Sequence, residues 1–130
     1  MKRLLLLGGV LNACGVVIHL LLARSISLST RIDSATAALL HALNVGAILL
    51  GAFLCVASIR YRHELLTTRL GRAVLVLAVL VFTTRAIEEP LLFSGSPVLL
   101  AFCIVAALVY GFPLVAGRHG APSAPASYDQ

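Results

Sequence analysis

Charge is what this chain has least of. Asp, Glu, Lys and Arg make up 12% of its 130 residues, against about 25% in ordinary soluble domains. Tryptophan is absent, and aromatics amount to 6%. No aromatic-studded basic surface accompanies the net charge of +5, which excludes nucleic acid as a partner. The three cysteines, Cys14, Cys55 and Cys103, form no Cys-x-x-Cys pair, so neither a zinc motif nor covalent haem attachment is present. They read as small buried hydrophobes. His63-Glu64 is followed by Leu65-Leu66-Thr67, so the His-Glu-x-x-His of zinc proteases is missing. A Gly-x-Ser-x-Gly elbow, a phosphate loop and a dinucleotide fingerprint are missing too. The expectation is a non-enzymatic protein with no metal and no resident cofactor.

Apolar residues are what the chain does have: 60% of the total, with a mean hydropathy of +1.03. Apolar runs of about 18 residues or more read as membrane spans. Four such runs, at about residues 4–23, 35–59, 70–88 and 98–116, fill most of the chain. They predict one domain over residues 1–116, an all-α integral membrane four-helix bundle running up-down-up-down. Residues 117–130, rich in Pro, Ala, Ser and Gly, read as a disordered tail. The first run, basic at its start, is too long for a signal peptide and is expected to be retained. Asp33 or Ser34 is placed to cap the second helix, Pro90 to stop the third, and Pro113 to kink or end the fourth.

Orientation follows from the basic residues. Lys2, Arg3, Arg60, Arg62, Arg69, Arg72 and Arg118 fall on one side; Arg24, Arg31 and, marginally, Arg85 fall on the other. Basic excess marks the cytoplasmic face, which places both termini inside and gives the loop arginines anionic lipid head groups to meet.

Small residues at helical spacing predict the packing faces. On the first span Gly8, Asn12, Gly15 and His19 share a face, leaving Leu5, Val16 and Leu20 for lipid. On the second, Ala38, Ala42 and Gly46 form a small-residue row continued by Ala47 and Gly51; on the fourth, Ala107 and Gly111 do the same.

Ionisable groups at membrane depth are costly and mark functional sites. The third span closes on Thr83-Thr84-Arg85-Ala86-Ile87-Glu88-Glu89-Pro90. At about 1.5 Å per residue, His19 lies roughly 7 Å below Arg24, His41 roughly 11 Å into the second helix, and Arg85 roughly 5 Å inside the carboxylates. Asn44 is a turn deeper than His41. His19, His41, Asn44, Arg85, Glu88 and Glu89 therefore form the candidate ligand- or partner-binding set, in the outer half, while the inner half shows little polarity. Two readings of Arg85 stand: it snorkels to the surface and pairs with Glu89 or lipid phosphate, or it turns inward and holds an anionic or carbonyl-bearing ligand. His19 and His41 admit three: an interhelical hydrogen bond, bis-histidine ligation of haem b, or proton-linked transport. His63 and His119 read as solvated.

His19 together with Leu66-Thr67-Thr68-Arg69-Leu70-Gly71-Arg72 and Arg85-Ala86-Ile87-Glu88-Glu89 gives the chain the look of small bacterial membrane proteins, in a layout that resembles the DoxX-like group of four-span proteins. The resemblance implies a four-helix bundle of the bacterial inner membrane and an accessory place in a larger assembly, and it carries over no catalytic residue. The leading expectation is an accessory, assembly or lipid- and partner-binding subunit, with membrane lipids and either a membrane-protein partner or a second copy as its contacts. A haem- or quinone-associated redox protein using His19 and His41, and a small oligomeric transporter, are the alternatives.

Overall fold

The computed structural model describes residues 1–30, 32–92 and 96–116, and these are all-α. Helix α1 spans Lys2–Leu28, α2 Ser34–Arg60, α3 Arg62–Thr67, α4 Arg69–Leu92 and α5 Pro97–Ala116. The tail expected at residues 117–130, Arg31, Arg118, His119 and the turn at residues 93–95 lie outside the described residues.

Local chemistry sets the helix ends. At the start of α2 the Asp33 carboxylate accepts from the backbone N–H groups of Ala35 and Thr36, at 3.1 and 3.0 Å, so two otherwise unpaired donors are satisfied. Hydrogen bonds from the Thr36 side chain and backbone, then from Ala35, hold that carboxyl below its ordinary value. Helix α1 runs on past Arg24, where a polar connection was expected. Ser25 and Ser27 donate their hydroxyls back to the carbonyls of Leu21 and Ala23, at 3.1 and 3.0 Å, which lets short polar residues continue the helix. Pro90 does not stop α4, which continues to Leu92. Proline's missing N–H and its clash fall on the preceding turn, and so little helix follows it that little is lost. Pro113 likewise sits inside α5.

Helix α3 lies within the stretch expected to be a charged loop. It ends at Thr68, whose hydroxyl accepts from the Gly71 N–H at 2.9 Å and caps the start of α4. Glycine is required at 71: a Cβ there would run into the backbone of Glu64 and Leu65.

Helices α1 and α2 pair as one antiparallel hairpin and α4 and α5 as another, with α1 against α5 joining the two and α3 crossing beneath. The core joins Leu5, Leu54, Ala57, Leu65, Leu75, Ala78 and Tyr110. All seven lie toward the end that carries Lys2, Arg3, Arg60, Arg62, Arg69 and Arg72, the basic end. Toward the opposite, far end, the buried side chains among the described residues thin to Ile26, Asn44, Glu89 and Cys103. Leu5, expected to face lipid, is fully buried; it lies three residues before Gly8 and so shares that face of α1.

Each of the four long helices is long and apolar enough to cross a membrane, and only 22% of each span is buried. Leu21, Leu43, Leu49 and Leu108 are all more than half exposed. Contiguous apolar surface of this extent is foreign to soluble monomers and fits lipid, so the chain has the build of a multi-pass membrane protein. At 27 residues each, α1 and α2 reach about 40 Å, more than the roughly 30 Å of hydrocarbon, so their ends reach the head-group region or the helices tilt.

Candidate functional site

Polar side chains inside the bundle fall into three groups. The most deeply buried is at the basic end, where little polarity was expected. Tyr110 of α5 has no exposed surface. Its hydroxyl accepts from Asn12 Nδ2 of α1 at 2.7 Å and shares a hydrogen bond with Ser58 Oγ of α2 at 2.8 Å. Asn12 donates its second N–H to the Gly8 carbonyl at 2.9 Å. Gly8 makes room for the phenol, since a Cβ there would stand 3.0 Å from both Cζ and the hydroxyl oxygen. The Phe82 ring of α4 stacks on the other side, centroids 6.1 Å apart and planes 2° from parallel. One phenol thus ties all four spans together, with every buried side-chain polar atom among the described residues paired. Sequence reading missed Tyr110 and Ser58. The available signal was a single tyrosine six residues inside the end of the fourth span, too deep for an interfacial ring.

The second group joins α1 to α2 nearer the far end. His19 Nδ1 lies 2.7 Å from Asn44 Oδ1, and Asn44 Nδ2 donates to the His19 carbonyl at 2.8 Å. The second bond orients the amide, so its oxygen faces the ring and His19 donates from Nδ1. That leaves Nε2 without a partner among the described residues, the orientation usual in metal-ligating histidines. His41, three residues from Asn44, is about a turn nearer the far end. Its Nε2 sits 3.3 Å from Ser27 Oγ. Each histidine therefore makes an interhelical hydrogen bond, but to a different partner, and the two do not bond to each other.

The third group is on α4. Arg85 Nη1 donates to Glu88 at 2.9 Å, and Nη2 lies 3.7 Å from Glu89. The arginine side chain is 45% exposed and that of Glu89 only 6%. Glu89 also accepts from the Ser96 N–H at 3.2 Å, which braces the α4–α5 connection at the first turn of α5. Arg85 and Glu88 remain at the surface of the far half, and Glu89 is engaged by the Ser96 backbone and approached by Arg85.

The small-residue rows divide. Gly8 and Asn12 are buried, and Gly15 is half-buried against Phe102. Gly51 lies against Val16 and the Asn12 carbonyl. Ala38, Ala42 and Gly46 are exposed, and nothing lies within 4 Å of a Cβ at Gly46. The face α2 turns to its neighbours instead runs through Asn44, Ala47, Gly51, Leu54 and Ser58, steps of three or four residues fixed at both ends by hydrogen bonds to other helices. Of the expected row, Ala47 and Gly51 lie on that face, whereas Ala38, Ala42 and Gly46 lie off it, because Asn44 and Ser58, not the smallest side chains, decide the rotation. Chemically, the arrangement offers a structural junction at the basic end and, toward the far end, half-buried His19 and His41 between α1 and α2 and, on α4, a surface pair of Arg85 with Glu88. No family model matches the chain, and neither a curated protein nor a solved structure matches it.

Proposed function

We propose that the protein is a non-catalytic accessory or assembly subunit of the bacterial inner membrane, with both termini cytoplasmic, whose far half is completed by a membrane segment of a partner. The observation that carries this is the mismatch between polarity and cover. The core is concentrated at the basic end, whereas Arg85, Glu88 and half-buried His19 and His41 sit where few side chains are buried. Charged groups at that depth are costly against lipid and ordinarily face protein or water. The exposed row Ala38, Ala42 and Gly46 on the same half of α2 would let a second helix approach closely.

Site-specific photo-cross-linking in native membranes tests the reading. A photoreactive residue at Ile87, exposed on α4, should give a discrete protein adduct, its mass distinguishing a foreign partner from a second copy. Arg85→Leu should diminish that adduct, and Arg62→Leu should leave it unchanged. Lipid adducts alone, with the two arginine variants behaving alike, would refute the proposal.

A further inference from the structure

The basic end holds a feature that the far-half reading does not use. A groove of about 220 Å³ opens between α2, α3 and α4. Its walls are mainly apolar: Phe53 and Ala57 of α2, Leu65 of α3, Leu70 and Val74 of α4, with Tyr61 and Thr68 also in the lining. Phe53 is seven residues from Arg60, so the groove descends about 10 Å from the charged layer into the apolar one. It is smaller than the roughly 300–1,000 Å³ of enclosed ligand pockets, which suits a slender chain rather than a compact molecule.

Basic residues adjoin the lining residues along the chain. Arg60 precedes Tyr61, Arg62 opens α3, and Arg69 and Arg72 flank Leu70 and Gly71. All four arginines are exposed, and none has an ion-pair partner among the described residues. Glu64, at the groove itself, is the sole carboxylate described at this end and is likewise without an ion pair. A molecule that satisfies both layers has an anionic head and an aliphatic tail. Basic pockets between spans at the membrane surface recognise anionic lipid head groups through this combination, and Tyr61 supplies the amphipathic ring favoured at head-group depth.

We infer that this groove is an anionic-phospholipid site: one acyl chain lies along Phe53, Ala57 and Val74, and the phosphate is held by Arg69 and Arg72, with Arg60 and Arg62 adding long-range attraction. The site makes α3 functional, since that short helix forms one wall and the tight crossing at Gly71 keeps the wall in place. Glu64 weakens the site by opposing the head group.

The test uses the full-length chain in a neutral detergent, titrated with phosphatidylglycerol or phosphatidylcholine and read by native mass spectrometry. Phosphatidylglycerol should give a saturable one-lipid adduct at concentrations where phosphatidylcholine gives none. Arg69→Gln with Arg72→Gln should weaken it by about five-fold per arginine, and Glu64→Gln should strengthen it. Leu70→Trp, at an exposed lining position, should block the adduct with the arginines intact; circular dichroism and monodisperse elution establish that each variant is folded. Equal binding of both lipids would overturn the inference. So would unimpaired phosphatidylglycerol binding by folded Leu70→Trp, which would mean adsorption to a charged surface without a seat for the tail. Full competition by inorganic phosphate would overturn it as well, by removing any role for the apolar walls.

Discussion

Replacing Tyr110 by Phe removes one oxygen atom from a site where three helices meet. The ring and its stacking on Phe82 stay, so no large void opens. What is lost is the acceptor for Asn12 and the partner of Ser58, residues that are 3% and 0% exposed. An interhelical hydrogen bond within a membrane contributes about 0.6 kcal/mol on average and up to about 1.7, so losing two should cost about 1–2 kcal/mol. Tyr110→Ala should cost more, about 3–5 kcal/mol, because removing a buried aromatic ring leaves a cavity. Reversible unfolding in mixed detergent micelles, followed by far-ultraviolet circular dichroism, measures both. A double-mutant cycle sharpens the reasoning. Tyr110→Phe and Ser58→Ala delete opposite ends of one bond, so together they should cost less than the sum of the two singly. If Tyr110→Phe is as stable as the parent, or if the cycle is strictly additive, the hydroxyl is not the tie between spans.

Three further outcomes follow from other elements. Gly71→Ala should destabilise by about 1–3 kcal/mol, because the methyl overpacks a backbone crossing that has no flexible side chain to move; thermal unfolding in detergent reads it, with Gly46→Ala, facing open space, as the tolerated control. Asn44→Ala should remove both bonds to His19, cost about 1 kcal/mol and shift the His19 ring nitrogen resonances. Asp33 has a lowered folded value, so its contribution is complete above the ordinary carboxylate value of 3.8 and disappears as the pH falls through the lowered one. Protection of the Ala35 and Thr36 amides, relative to their intrinsic exchange at each pH, should fall over that acid range, and Asp33→Asn should flatten that fall.

The spans are legible in the sequence because a bilayer imposes a length on any apolar helix, and the Asp33 cap is legible because only a few residue types serve there. Pairing is less legible. Hydrophobicity runs all round these helices, so no periodic stripe announces which face meets which neighbour. On α2 the smallest residues mark the packed face at Ala47 and Gly51 but not at Ala38, Ala42 and Gly46, because the hydrogen bonds of Asn44 and Ser58 set the rotation of the helix. Tyr110 is hidden for a related reason: one phenol among leucines and valines acquires meaning only when Asn12, 98 positions away in sequence, is placed beside it. An interhelical hydrogen bond is one of three readings the sequence admits for His19, and its partner Asn44 differs from His41 only by a turn of helix, a difference that depth estimates do not resolve.

The phenol that ties the spans belongs to the last of them. During stepwise synthesis from the N-terminus, Asn12 and Ser58 are made well before Tyr110, and until α5 arrives each lacks the phenol as its partner, although Asn12 keeps its bond to the Gly8 carbonyl. The junction at the basic end is therefore closed only by the last helix of the chain. A chain ending after α4 would keep the α1–α2 hairpin but lose the one side chain that joins Asn12 to Ser58.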